Sequence, residues 1–388
     1  MKRLAIVSSH PIQYNAPWFR LLANEPGIVL KVFYTWEQAA AGSTMDKGFG
    51  RMITWDIPLL EGYEHVFVKN VSADPGVHHF KGIVNPGLIS EIESWGADLL
   101  LVIGWSFHSH LRCLRHFHKK IPVLFRGDST LLDEVPGVKM WLRRIFLTWV
   151  YRHVDHALYV GTNNKAYFRK HGMKEKQLLL APHAIDNTRF AGVGNEYDEA
   201  AIVWRKELNI PDDALVLLFA GKLERKKNPF FLLDIAAKVN DERLWIIFVG
   251  NGEWETSLKE AANGLQRVVF IDFQNQQKMP VVYRLGDVFI LPSVGPGETW
   301  GLAGNEAMAS HSPVMMSGKC GGAVDLIIEG KNGMVFEQGD VEKCSLFISS
   351  LINDRKLVRQ MGKMSANHVE NFSFTKIIHP LIQLSAKN

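Results

Sequence analysis

Short apolar runs, each bounded by turn residues and followed by a helix-compatible segment, recur along the whole chain. Leu4–Ser9, Ile28–Tyr34, Asp98–Ile103, Pro122–Phe125, Ala157–Val160 and Leu178–Leu180 form a first series. Leu215–Ala220, Leu244–Val249, Val268–Ile271, Val288–Leu291 and Val314–Met316 form a second. Runs that are apolar throughout, with no polar alternation, suit strands covered on both faces. Strands alternating with helices therefore predict an α/β fold with parallel sheets. At 388 residues the chain is too long for one ordinary core, so two domains are expected, residues 1–190 and 200–370. The polar, aperiodic stretch Thr188–Ala201 reads as the connection between them. Two doubly wound halves facing a cleft follow from this pattern.

Composition narrows the function classes. The chain is 47% hydrophobic and 22% charged, the profile of a soluble globular protein. A formal net charge of +4 fits an anionic small-molecule substrate or weak attraction to a membrane surface, and it does not require nucleic acid. Cys113, Cys320 and Cys344 are isolated, with no Cys-x-x-Cys spacing for zinc or redox work. So sparse a set suits a reducing cytoplasm. The apolar run after the basic start is too short for a signal peptide, and no stretch approaches transmembrane length. A cytoplasmic protein is expected, with the inner face of the membrane as the alternative station.

The stretch Leu291–Glu306 carries most of the chemistry. An apolar strand ends, a Gly/Pro loop crosses over, and a helix begins after Trp300. The first amides of such a helix lack intrahelical partners and carry the positive end of the dipole, so a phosphate is stabilised there. Thr299, Gly301 and Leu302 supply those amides. Glu298 and Glu306 form a Glu-x7-Glu pair, one in the loop and one inside the helix. The plainer account is that both merely complement a helix dipole at the surface. Lys222 and Lys227 stand five residues apart on the loop after Leu215–Ala220, where two cations could meet an anion. Arg225 and Lys226 lie between them, so a solvated basic turn is the competing account.

Several motifs share one resemblance. Glu298-Thr299-Trp300-Gly301-Leu302 with Asn305-Glu306-Ala307-Met308-Ala309 resembles the donor-site signature of retaining, family-4-type glycosyltransferases (glycosyl transferases group 1) of the GT-B fold. Gly221–Lys227 resembles that family's Gly-Arg-Leu…Lys-Gly loop, and Val249-Gly250-Asn251-Gly252-Glu253 its second glycine turn. Gly330-Lys331-Asn332-Gly333 resembles its Gly-x-x-Gly turn, and Ala181-Pro182-His183-Ala184-Ile185-Asp186 its Pro-Asn-Gly-Val-Asp segment. The tail Asn371–Leu384 is similar to the helix that crosses back onto the first domain, so 371–388 is expected to complete residues 1–190. The resemblance covers most of the chain and is strongest from Asn209 to Phe336.

It implies sugar transfer from a nucleotide-sugar donor to a hydroxyl acceptor in glycan or glycolipid assembly. The acceptor is then a sugar or a lipid-linked sugar. Glu298 would hold the donor sugar and favour its developing charge, Glu306 would meet the ribose, and Lys222 and Lys227 would meet the diphosphate. Asp272 and Phe273 fall in the segment that receives the nucleobase. No cofactor is implied beyond the nucleotide sugar. With no Asp-x-Asp and no His set at ligand spacing, no metal is implied either.

The chain also departs from the pattern. Lys222 replaces an arginine and so loses the bidentate fork. Asp272 stands where glycine is frequent, and contact with base or ribose and capping of a turn through its own backbone are equal readings of it. His10-Pro11-Ile12-Gln13 replaces a glycine pair, and Arg126-Gly127-Asp128 replaces the catalytic-centre histidine. His10 is thus a candidate for substrate contact and Arg126, or Asp128, for a catalytic part on donor or acceptor, with a satisfied loop histidine and a structural ion pair as their plainer accounts. These departures motivate two other functions: a nucleotide-sugar hydrolase or epimerase of the same fold, and a nucleotide-sugar-binding scaffold with a decayed site. Met140–Arg152 joins large apolar side chains to Lys139, Arg143, Arg144 and Arg152. A basic face lying on anionic lipid is one reading; a buried helix is the simpler one, since apolar residues run nearly all round.

Overall fold

Leu4, Ala5, Ile6 and Val7 have no solvent exposure at all, because β1 (Lys2–Ser8) lies inside a parallel sheet covered on both faces. In the computed structural model, which describes residues 1–37, 43–46 and 51–386, the chain divides into two units. The first contains β1, β2 (Ile28–Tyr34), β3 (Ser43–Asp46), β4 (Arg51–Thr54), β5 (Glu64–Phe67), β6 (Leu99–Ile103), β7 (Val123–Arg126), β8 (His156–Tyr159) and β9 (Leu178–Leu180), save that the division passes through β3 and leaves β4 with the second unit. Seven of these strands form a sheet in the order β5-β2-β1-β6-β7-β8-β9, with every neighbouring pair parallel. β3 and β4 pair separately. The residues from Phe374 onward group with this unit, in the helix Phe374–Ala386. Residues 387 and 388 of the expected tail lie outside the described residues.

The second unit begins at Ala184 and includes Thr54 and Asp56. Asn275 Nδ2 donates to Thr54 O at 2.7 Å, and Gln277 Nε2 to Asp56 O at 2.6 Å. Its strands are β10 (Leu215–Ala220), β11 (Leu244–Val249), β12 (Val268–Ile271), β13 (Val288–Leu291), β14 (Val314–Ser317) and β15 (Gly333–Phe336). They form one parallel sheet in the order β12-β11-β10-β13-β14-β15. The chain winds outward from β10 to β12, then returns to the other side of β10 with β13. This reversal sets the C-terminal ends of β10 and β13 side by side. Loops leaving adjacent strands in opposite directions open a crevice there, which is where open α/β sheets take ligands.

The expected strands appear with ends displaced by a residue or two. β3, β4, β5 and β15 were not anticipated. β5 is an edge strand, half-buried and carrying Glu64 and His65, so its sequence offers no apolar run. Thr188–Ala201 is not a loop either, since helices Asn187–Ala191 and Glu196–Glu207 occupy most of it. Asp186 caps the first, accepting from Arg189 N at 3.0 Å. The acids Glu196, Asp198 and Glu199, which made the stretch look loop-like, fill the first turn of the second helix and complement its dipole.

Candidate functional site

The site in the second unit is built from the loops after β10, β11, β12, β13 and β14. Gly250 and Gly252, after β11, let two of these loops touch. A Cβ on Gly250 would stand 2.2 Å from Gly221 O, and one on Gly252 would stand 2.4 Å from Leu223 O. Only hydrogen fits at either place. The contact is fixed by Leu223 N donating to Asn251 O at 3.0 Å and Trp254 N donating to Leu223 O at 2.9 Å. The Gly221–Asn228 loop thereby gains a rigid support, and at its end the short turn Arg225–Lys227 places Lys227.

Lys227 Nζ donates to Glu298 Oε2 at 2.5 Å. The same oxygen accepts from Ser293 Oγ at 3.1 Å. Both partners are largely withdrawn from water, with side chains 18% and 9% exposed, so the pair is held in a poorly screened setting. The loop is tied down along its length. Val294 N donates to Lys226 O at 2.9 Å, and Gly321 N, from the loop after β14, donates to Glu298 O at 2.9 Å. Cys320 lies beneath it, its thiol 3.7 Å from Leu291 O. Burial pushes that thiol above its ordinary range, and the Glu298 charge adds to the shift, so it stays protonated.

The helix Leu302–Ala309 starts at Gly301, whose φ of 96° is the left-handed region that glycine tolerates. No side chain caps this start. Its leading amides therefore have the arrangement that accepts an anion. Trp300 is wedged behind the loop, with Nε1 donating to Asn305 Oδ1 at 2.8 Å. Glu306 is buried, and its Oε2 accepts from Tyr283 OH at 2.7 Å. Lys222 lies partly buried on the loop after β10. Asp272 and Phe273 are joined through Asn251, whose Nδ2 donates to Asp272 Oδ1 at 3.0 Å while its Oδ1 accepts from Phe273 N at 2.9 Å. Asn251, Ser293 and Tyr283 were not singled out from the sequence. All three act by orienting a residue that was, and only the fold reveals which one.

His10 and Arg126 stand in the first unit, after β1 and at the end of β7. His10 Nδ1 is 2.9 Å from Ser9 Oγ, and its ring meets Trp36 edge-on at 5.4 Å. Burial pushes its pKa down to about 4, so it is neutral near pH 7. The Arg126 guanidinium is buried and donates to Ala181 O at 2.5 Å and Pro182 O at 3.1 Å. It thus clamps the end of β9. Burial lowers its pKa to about 10, against the opposing pull of Asp128, and it stays charged. His183 Nε2 lies 3.6 Å from Asp128 Oδ2. Among the described residues one group has the spacing to hold a metal ion: Asp74, His78 and His79, in the first unit.

Residues 201–368 match the family of glycosyl transferases group 1. Lys222, Lys227, Asp272, Phe273, Glu298, Thr299, Gly301, Leu302 and Glu306 all fall inside that match, and His10 and Arg126 fall outside it. Among curated proteins the chain is 32% identical to sulfoquinovosyl transferase SQD2 of Arabidopsis thaliana over 167 residues, which are 42% of this chain and 31% of that protein. It is 27% identical to D-inositol 3-phosphate glycosyltransferase of Corynebacterium efficiens over 188 residues, 46% of this chain and 44% of the other. The chain thus spans less than half the length of either relative. Among solved structures it is similar to Anabaena Alr3699/HepE in complex with UDP, with a TM-score of 0.74 at 16% identity and 100% of each chain covered. A second structure of that protein, with UDP and glucose, gives a TM-score of 0.70 at 14% identity. At such identities the likeness is one of fold, the two Rossmann-like α/β domains of GT-B glycosyltransferases.

Proposed function

We propose that the chain transfers a sugar from a nucleotide-sugar donor to a hydroxyl acceptor, with retention of anomeric configuration. The observation that carries this reading is the Lys227–Glu298 pair, 2.5 Å apart in the loops beside the β10/β13 switch point and ahead of the uncapped Leu302–Ala309 helix. A cation, a carboxylate and a row of amides are the three groups that breaking a sugar–diphosphate bond calls for. The family match over 201–368 and the transferases among the relatives support the same reading.

In this proposal the bond between the anomeric carbon and the bridging phosphate oxygen breaks, and its electron pair leaves with the diphosphate. Lys227, Lys222 and the amides of Thr299, Gly301 and Leu302 receive that charge. Glu298 holds the sugar's hydroxyls and favours the positive charge developing on the ring. The acceptor hydroxyl attacks from the same face, and its proton passes to the departing phosphate oxygen. Glu306, held by Tyr283, is assigned to the nucleotide end, with Asp272 and Phe273 beside the base. UDP and glucose in the structures of Alr3699/HepE make UDP-sugars the first donors to try.

The test is a thermal-shift screen of UDP-, ADP- and GDP-sugars, followed by mass spectrometry of products with free and lipid-linked acceptors. A donor that raises the melting temperature and yields a glycosylated acceptor supports the proposal. Donor consumption that needs no acceptor would replace it with hydrolysis. The absence of any stabilising nucleotide sugar would remove it.

A further inference from the structure

The helix Val138–Tyr151 has two apolar faces, and only one of them is buried. Leu147, Val150 and Tyr151 are sealed into the core of the first unit. On the opposite side Val138, Trp141, Leu142, Ile145 and Phe146 follow at three- and four-residue spacing and so share a face. They are 76%, 57%, 56%, 50% and 41% exposed, and Val135 just ahead of the helix is 79% exposed. The run of apolar residues all round this helix, which pointed to simple burial, is thus the sum of an inward and an outward stripe. Single exposed apolar residues need no explanation, but a contiguous outward stripe marks a contact surface.

The charged groups around the stripe are mostly of one sign. Lys139 and Arg143 are exposed on its flank, and Arg152 is exposed just past the helix end. Arg115, from the helix His108–Phe117, lies over the Trp149 ring at 5.4 Å, one turn beyond Ile145. Of the acids nearby, Glu134 is engaged by Arg144 at 3.6 Å, and Asp133 sits ahead of the helix rather than on it. No helix among the described residues is long and apolar enough to cross a membrane, so a lipid contact here is with its surface.

We propose that this face rests on an anionic lipid surface, with Trp141, Leu142, Ile145 and Phe146 in the headgroup boundary and Lys139, Arg143, Arg152 and Arg115 on lipid phosphates. Aromatic and aliphatic residues in the plane of the interface, flanked by lysine and arginine, are what such a surface selects. A second copy of the chain fits less well, because two-fold pairing of the stripe would set Lys139 and Arg143 against their own images. The proposal concerns where the protein rests and stands apart from the reaction assigned to the second unit.

The full chain is mixed with vesicles of phosphatidylcholine and phosphatidylglycerol and sedimented, with pure phosphatidylcholine as the control. Binding to the mixed vesicles at low salt, weakening as salt rises, is expected. Lys139→Gln with Arg143→Gln should lower partitioning about 25-fold, from about fivefold for each basic residue. Trp141→Ser with Ile145→Ser should lower it as well. These side chains are exposed, so both variants should keep the wild-type melting curve. Failure of the wild type to sediment with the mixed vesicles overturns the proposal, as does equal sedimentation with phosphatidylcholine alone. Undiminished binding by both variants overturns it too. A dimer that Trp141→Ser with Ile145→Ser returns to monomer, without vesicle binding, assigns the face to a second copy.

Discussion

At the scale of single residues, Lys227 and Glu298 pair with each other at 2.5 Å, and the proposed reaction assigns them different partners, the diphosphate to Lys227 and the sugar to Glu298. Replacing Lys227 by alanine removes the cation assigned to the diphosphate. Loss of such a group from a water-poor site costs roughly 2.7–4 kcal/mol of transition-state stabilisation, a fall of about 100- to 1000-fold in kcat. Steady-state kinetics of Lys227→Ala checks this, and near-normal turnover in a folded variant would remove Lys227 from the site. Glu298→Gln keeps the size and part of the bonding to Ser293 and Lys227 but loses the charge. Sugar transfer should fall far more than affinity for the nucleoside diphosphate. Both residues became candidates through the resemblance of their loops to the family's motifs, since spacing alone favours a solvated basic turn for Lys227 and a surface acid complementing a helix dipole for Glu298. Ser293, Tyr283 and Asn251 were not legible, since a hydroxyl or amide that orients another residue leaves no pattern of its own.

His110 gives a residue-scale prediction about stability. It is fully buried, with Nδ1 at 2.9 Å from Gly104 O and Nε2 at 2.9 Å from Thr35 Oγ1. A carbonyl only accepts, so Nδ1 carries the proton of the neutral ring. Burial lowers its pKa from 6.5 to about 4. The folded state therefore binds this proton less readily than the unfolded chain. The associated stability is complete above pH 6.5 and is lost as the pH falls toward 4, on the order of 3 kcal/mol in all. Melting temperature measured across that range should fall less steeply for His110→Gln than for the wild type. Parallel curves would show that His110 does not set the acid limb.

At the scale of elements, the crossing of loops after β10 and β11 decides where Lys227 stands. Gly252→Ala would put a methyl group 2.4 Å from Leu223 O. Backbone cannot yield as a side-chain tip can, so the loops must part, at a cost of about 1–3 kcal/mol. A lower melting temperature together with reduced transfer is expected, because the Gly221–Asn228 loop carries Lys227. Wild-type values of both would mean that the loop finds its place without this support. The strands around that crossing were legible as buried apolar runs. β5 and β15 escaped because a half-exposed edge and a strand opening on glycine lack that mark. Glu196–Glu207 escaped because acids grouped at a helix start look like a loop until the helix is seen.

At the scale of the whole molecule, the second unit presents a parallel sheet whose winding reverses between β10 and β13, and the loops and helix at that reversal hold Lys222, Lys227, Glu298, Thr299, Gly301, Leu302 and Glu306, while Asp272 and Phe273 follow β12. The alternation of apolar runs with helical segments made parallel α/β sheets legible from sequence, and the length of 388 residues divided them into two units. The departures at His10 and Arg126 remained ambiguous for a physical reason: a buried histidine and a buried arginine serve structure and chemistry through the same hydrogen bonds. The central claim is that a nucleoside diphosphate seats on the loops at the reversal. Hydrogen–deuterium exchange over the full chain, with and without UDP, ADP or GDP, tests it most directly. The account predicts that one of these nucleotides slows exchange in residues 221–228 and 293–306. Protection confined to the first unit, or no protection from any of the three, would contradict it.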